Sequence, residues 1–295
     1  MIFVSDNGAP FINSKTTLYD AGVRLPLLVR QPGKPGGVIN PNMVSFLDIL
    51  PTCIDWATSV SGNTVQTENS SKSPPRRGVS FLRVVDQSEA LPATVWKQHV
   101  FGSHTFHEIQ NYWPTRYLRN RRYKYHRNIA WRLDFPFATD LYVSLSWEGI
   151  RNACSSKKIN GDTKGDASNG TNGSDTPEIM IGRRRLQNYL YRGPEELFDL
   201  ENDPEEVVNL INDTNLRSVV EEMRAELEKE QYETGDVWLF RDGVSVATTQ
   251  GARKEGLRLP DRFDFDPRAP GNRSGPHWSP PTGAKVSGGG MVEYG

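Results

Sequence analysis

The chain opens on Ile2-Phe3-Val4, which runs straight into Ser5-Asp6-Asn7-Gly8. A short apolar run that stops at polar, turn-forming residues is the pattern of a buried strand and the loop at its carboxyl end. This constrains the fold strongly, because a strand of that kind needs partners at its edges and layers over its faces. Leu25-Pro26-Leu27-Leu28-Val29 reads as a second strand, after the turn-rich Asp20-Ala21-Gly22. In "VSFLDILPTCIDWA", Val44–Ala57, the apolar residues fall at mixed three- and four-residue steps. That spacing predicts a buried helix, with Pro51 starting or kinking its second part and Cys53 in the core. Strand, loop, strand, helix is an α/β order.

Further along, Val95–Gly102 reads as a strand. "TRYLRN" and "RYKYHRNI" read as the two arms of a hairpin around Asn120-Arg121. From Asp213, a predicted N-cap, apolar residues at Leu216, Val219, Val220, Met223 and Leu227 recur at helical spacing, so a helix is expected over Asp213–Glu230. Residues 58–77 are rich in Ser, Thr, Asn and Pro and read as a surface loop. Residues 155–180 and the Gly- and Pro-rich stretch after about residue 245 lack periodicity and read as disordered. A mean hydropathy of −0.60, low for a compact enzyme of 295 residues, fits that division. No internal repeat is visible.

The formal net charge of −1 excludes a chain that is basic as a whole, so any polyanion-binding surface must be local. "RYLRNRRYKYHR" interleaves Arg and Lys with three tyrosines. Alone it could point to nucleic acid. As a hairpin, it places its charges on a solvated outer face or on a basic rim for a sulfated polysaccharide, and nucleic acid is not expected as a partner. No apolar run reaches the roughly 20 residues of a membrane span, and no basic n-region followed by an h-region reads as a signal peptide. Two cysteines, Cys53 and Cys154, are too few for a disulfide framework.

Asp6 and Asn7 offer a carboxylate and an amide oxygen on adjacent residues, the donor type that hard cations such as Ca²⁺ prefer. They lie past the end of a strand, where open α/β sheets bind ligands. Gly8 lets the chain turn sharply. Lys15 follows, a compact positive charge suited to a sulfate or phosphate oxygen. The plainer reading is an ordinary turn and a solvated lysine, and two ligands cannot fill a calcium shell of roughly six to eight oxygens.

The stretch "SDNGAPFINSKTTLYDAGVRLPLLVRQPG" resembles the sulfatases of the alkaline-phosphatase-like superfamily, whose pattern here is a strand, Asp-Asn-Gly, a basic residue, then Tyr, Gly, Arg and Pro. "VSFLDILPTCIDWA" resembles their next helix and "ELFDLENDPEEVVNL" their C-terminal signature. Within the family, "ATVWKQHVFGSHTFHE", "DFPFATDLYVS" and "EKEQYETGDVW" resemble the branch that acts on N-sulfated amino sugars of heparan-type glycans. The resemblance spans residues 2–243.

It implies an α/β fold in two parts. Residues 1–90 would be the C-terminal portion of a sulfatase catalytic sheet domain. Residues 95–243 would be a smaller α+β subdomain with an antiparallel sheet, residues 155–180 a disordered insertion in it, and 244–295 a disordered tail. It implies hydrolysis of a sulfate ester or sulfamate, with Asp6 and Asn7 as Ca²⁺ ligands and Lys15 at the sulfate-binding basic position. Some sulfatases have lysine there, whereas the N-sulfatase branch has arginine, so an arylsulfatase or other O-sulfatase remains an alternative. His107 and Glu108 match a His-Glu pair of that branch and read either as the rim of the sugar pocket or as ordinary surface residues. His104, three residues before His107, reads as a surface histidine, and Arg24 as a structural arginine.

The family's nucleophile is a formylglycine made from Cys or Ser in Cys/Ser-x-Pro-x-Arg, and neither Cys53 nor Cys154 stands in that pattern. The expectation is therefore that the nucleophile lies in an N-terminal half not contained in these residues. On that expectation the chain alone is inactive, and a non-catalytic glycan-binding or structural fragment is a further alternative. It is also expected to be aggregation-prone. Family resemblance implies a secretory, lysosomal, vacuolar or extracellular setting, which the five Asn-x-Ser/Thr sequons at Asn69, Asn169, Asn172, Asn212 and Asn272 weakly support. A sulfated sugar or small sulfate ester is the expected partner, and oligomeric state is not encoded in any motif.

Overall fold

The computed structural model describes residues 1–61, 77–108, 111–159, 179–234, 236 and 238. The expected disorder after residue 245 and within most of 155–180 lies outside the described residues, as do Asn69, Asn169, Asn172 and Asn272. In chain order the elements are β1 (Ile2–Val4), α1 (Asp20–Val23), β2 (Leu27–Val29), α2 (Ile49–Ser61), β3 (Val100–His107), β4 (Asn111–Arg119) and β5 (Tyr123–Asn128). Then follow α3 (Thr139–Tyr142), α4 (Leu145–Ile159), β6 (Met180–Ile181), β7 (Arg184–Arg185), α5 (Leu186–Leu190), β8 (Glu195–Asp199) and α6 (Arg217–Glu233). The fold is mixed α/β.

At the front, β1 and β2 pair antiparallel, with Ile2 opposite Val29 and Phe3 opposite Leu28. Side chains alternate across a strand. Ile2 and Val29 accordingly pack with Val44 and Ile49 onto buried Phe81, Val84 and Trp96, while Phe3 and Leu28 point the other way and are each 60% exposed. The helix predicted from Val44 begins as a 3-10 turn at Phe46–Asp48, capped by Ser45, and continues as α2. The Asp48 carboxylate closes the capping box with the Ser45 N–H and also accepts from the Val79 N–H and from Lys97. Pro51 lies early in α2, where it takes a helix's first-turn geometry without loss. Cys53 is an exposed thiol rather than a core residue: on α2 it is Ile49 and Thr52, not Cys53, that face the packed side.

The second part is an antiparallel sheet in the order β3-β4-β5-β8. The predicted hairpin around Asn120-Arg121 is the β4–β5 connection, and the Asn120 side chain accepts from the Arg122 and Tyr123 N–H groups to hold the turn. Leu118, Tyr125 and Leu197 stand opposite one another on one face. They form a core with Val220, Met223 and Leu227 of α6. Asp213 caps the 3-10 turn that leads into α6, through an N–H bond from Asn215.

Two expectations are corrected here. The strand placed at Val95–Gly102 is β3, shifted to Val100–His107, so "GSHTFHE" is mostly strand rather than loop. Apart from Arg122 at the turn, which is exposed, the basic residues of the hairpin do not lie on a solvated face. Arg116, Lys124, His126 and Arg127 are all buried, with Lys124 at 0% exposure, because the sheet is covered on both sides. On the α6 side, Arg116 forms a two-pronged pair with Asp236 at 2.6 and 2.9 Å, and Arg127 donates to Gln231 at 3.1 Å. On the other side, Tyr117, Arg119, Lys124, His126, Glu196 and Phe198 meet the loop and short helix that follow β1.

Candidate active site

The loop between β1 and α1 carries Asp6, Asn7 and Lys15, and its shape is fixed by close approaches that only glycine permits. The Gly8 N–H donates to the Gly22 carbonyl at 3.0 Å, and a Cβ on Gly8 would lie 2.2 Å from the Ala21 carbonyl oxygen. A Cβ on Gly22 would meet the Ser14 carbonyl oxygen at 2.4 Å. Asn13 and Thr16, on either side of Ser14-Lys15, take φ of 68° and 70°. That left-handed conformation is unfavourable for a β-branched residue such as Thr16. The surroundings hold the loop in it: Ser14 Oγ donates to the Ala21 carbonyl at 2.9 Å, Thr17 Oγ1 donates to the Ser14 carbonyl at 2.8 Å, and Ile12 packs into two aromatic clusters.

The base of this loop is locked to the sheet by buried charge. Asp20 receives Arg119 on both carboxylate oxygens at 3.0 Å each, and Lys124 Nζ at 3.0 Å. Burial alone would raise its pKa, but Lys124 and Arg119 outweigh burial and hold it below the usual carboxylate range. Lys124 also lies 3.2 Å from Glu206, whose carboxylate accepts the Asp20 N–H. Glu206 belongs to the C-terminal signature and has a φ of 55°. Tyr19 donates to Glu196 at 2.9 Å and lies under the guanidinium of Arg184 at 3.9 Å. Arg24, in contrast, is mostly exposed and lies 3.9 Å from Asp20.

At the tip, Asp6 is exposed and its carboxylate accepts the Asn7 N–H at 2.9 Å. Lys15 donates to Asp140 at 2.6 Å, across 125 residues of sequence. That hydrogen bond raises the lysine pKa against the opposing effect of burial, and the carboxylates of Asp6 and Glu108 act in the same direction. Asp6, Glu108 and Asp140 therefore all lie within electrostatic reach of Lys15. Glu108, at the β3–β4 turn with φ of 56°, accepts from Thr139 Oγ1 at 2.5 Å and from Asn111 Nδ2 at 3.4 Å.

Of the expected site residues, Asp6 and Glu108 thus act electrostatically on Lys15. His107 lies at the end of β3 beside Glu108 and is half-buried. His104 is not a surface histidine: its Nδ1 lies 3.2 Å from the Trp113 carbonyl, burial lowers its pKa, and it stays neutral in a structural position. Asn212, the one sequon among the described residues, is exposed. Sequence reasoning missed Asp140 and Thr139. They stand in the quoted phrase "DFPFATDLYVS", but only a contact map could join that phrase to Lys15.

Among the described residues, no group of three or more His, Cys, Asp or Glu is arranged to hold a metal ion. Asp6 and Asn7 present hard oxygens of the type that suits calcium, so they fit as part of a ligand set and not as a complete one. One literal Ser-x-Pro-x-Arg does occur, Ser73-Pro74-Pro75-Arg76-Arg77. The expectation that the pattern is missing from the chain is corrected to that extent. Ser73 lies outside the described residues, and Arg77 is engaged by Glu230 and, at 3.1 Å, by Glu233 of α6.

No family model matches the chain. It is 32% identical over 253 residues to human N-sulphoglucosamine sulphohydrolase, a match covering 83% of this chain and 44% of that protein. An ulvan-active sulfatase of Formosa agariphila is 24% identical over 276 residues, covering 88% of this chain and 42% of the relative. Solved structures that match include BT4656 in complex with its substrate D-glucosamine-2-N,6-O-disulfate, at 15% identity and a TM-score of 0.40 over 73% of this chain and 29% of the other. BT1596, a 2-O GAG sulfatase, matches at 17% identity and a TM-score of 0.40 over 88% and 36%. The chain spans a little under half the length of the curated relatives it matches. The two sequence matches make the chain a homologue of the sulfatases over most of its own length.

Proposed function

We propose that the chain forms one wall of a sulfatase site that acts on a sulfated amino sugar of heparan type, removing sulfate from nitrogen. The observation that carries this reading is the front loop: a lysine ammonium within electrostatic reach of an exposed Asp6 that Asn7 follows, on a chain with 32% identity to an N-sulphoglucosamine sulphohydrolase. In this reading Lys15 binds a sulfate oxygen and offsets the charge that grows there in the transition state. Asp6 and Asn7 would supply part of a Ca²⁺ shell, the cation polarising the sulfate group. His107 and Glu108 would face the sugar. The strained loop contributes by holding Lys15 in one direction before substrate arrives, so little is lost to ordering during reaction. The nucleophile, a formylglycine, would come from a preceding N-terminal half, and residues 1–90 and 95–243 would be the end of the catalytic sheet domain and its C-terminal subdomain. A secretory or lysosomal setting, with Asn212 as a glycan acceptor, belongs to the same reading.

The test begins with the coding sequence upstream of Met1. An in-frame Cys/Ser-x-Pro-x-Arg is expected there. Its absence would sink the proposal. The longer protein should release sulfate from glucosamine N-sulfate faster than from an aryl sulfate, and Lys15→Ala should lower kcat by about 10²–10³-fold. A second reading, an O-sulfatase, is favoured by lysine at position 15 and by the ulvan-active relatives. Faster turnover of O-sulfated substrates would select it.

A further inference from the structure

The ion pair between Lys15 and Asp140 has a consequence for what the site selects. It joins a loop near the start of the chain to the first turn after Ala138, and both partners remain partly exposed, at 27% and 40% of their side-chain surface. Asp140 is therefore reachable by a ligand that approaches Lys15. The neighbouring Thr139 hydroxyl and the Asn111 amide both donate to Glu108, which ties the β3–β4 turn to the start of α3. The second oxygen of Asp140 accepts the Leu141 N–H at 3.1 Å, which fixes the carboxylate's orientation. Asp140 is below its usual pKa because Lys15 donates to it, so it is an acceptor and not a donor at neutral pH.

We propose that Asp140 is a positioning and specificity-determining residue of this site, holding the Lys15 ammonium in place and accepting a hydrogen bond from a hydroxyl or amine adjacent to the anionic group that Lys15 binds. The inference rests on the reading of Lys15 as the anion-binding side chain. An anion that draws Lys15 away leaves the Asp140 carboxylate without its charged donor. A bare inorganic sulfate offers nothing in return and adds a like charge nearby. A sulfated amino sugar brings O–H and N–H donors within one bond or two of its sulfate. Asp140 thus discriminates against anions that lack an adjacent donor, by the penalty of an acceptor left unpaired.

The 295-residue chain would be titrated with inorganic sulfate and with glucosamine N-sulfate, following the Lys15 signal by NMR of ¹³C-dimethylated lysines, assigned by its loss in Lys15→Arg. Wild type should prefer the sugar. In Asp140→Asn, inorganic sulfate should bind about two- to fivefold more tightly, the equivalent of an exposed ion pair, and the preference for the sugar should shrink by at least that factor. Asp140→Glu should restore the preference, and the Lys15 ammonium should titrate at a lower pH in Asp140→Asn. If the sugar-to-sulfate ratio is unchanged in Asp140→Asn while Lys15→Ala abolishes binding of both, the inference is overturned and the Lys15 reading stands. Sulfate affinity that survives Lys15→Ala unchanged overturns both, as does failure of wild type and Asp140→Asn alike to bind either ligand.

Discussion

The front strand pair and the four-stranded sheet are built on the same alternation of side chains and end differently. In the four-stranded sheet, the stripe Leu118, Tyr125 and Leu197 is sealed by α6, with exposures of 0%, 1% and 0%. In the front pair, Phe3 and Leu28 stand opposite one another in the same way and are each 60% exposed. The reverse of each sheet is covered: by the Asp20–Lys124–Glu206 network in one, by Phe81, Val84 and Trp96 in the other. A sheet sealed on both faces is a finished layer. One with an apolar face open leaves hydrophobic surface exposed to a partner.

The contrast can be broken most forcefully at the sealed sheet. Lys124→Met leaves Asp20 and Glu206 buried with a partner lost, and should cost about 3–5 kcal/mol of stability, read from urea unfolding. A loss under about 1 kcal/mol would mean the network is hydrated and the sheet less sealed than described. Leu118→Ala should cost about 2–5 kcal/mol in the same assay. Acid should act next. Burial lowers the folded-state pKa of His126 and His104, so the unfolded chain takes up those protons first. Their contribution is present above about pH 6.5 and lost as pH falls below it, at up to about 1.4 kcal/mol per pH unit for each. His126→Gln should flatten that slope between about pH 6.5 and 5, and an unaltered slope would count against the burial argument. The smallest effect belongs to the front. Phe3→Ser with Leu28→Ser should change stability by no more than about 0.5 kcal/mol each. The double variant should, however, reduce self-association in sedimentation. A large loss of stability there would show the face already covered.

Much of this architecture could be read from the sequence where the signal is local. The Asp213 cap and the apolar spacing from Leu216 to Leu227 gave α6, and Asn120-Arg121 gave the β4–β5 turn. What could not be read is long-range charge. Arg116, Lys124 and Arg127 look solvated because their partners come from distant segments: Asp236, Asp20 with Glu206, and Gln231. The candidate site divides the same way. Asp6, Asn7 and Lys15 share one loop and one motif. Asp140 reaches Lys15 only through packing of Ile12 against the aromatic clusters that also hold Leu141 and Trp147. Cys53 was misplaced because a helix's buried face depends on what packs against it, and mixed spacing leaves that open.

The central claim is that the front loop is one wall of a sulfatase site whose nucleophile is supplied by a segment outside these 295 residues. Its most direct test is turnover of glucosamine N-sulfate by the purified chain with calcium present. The account predicts no sulfate release above the uncatalysed rate, with Lys15→Ala indistinguishable from wild type. Release that is lost in both Lys15→Ala and Ser73→Ala would contradict it, by placing a working nucleophile within the chain.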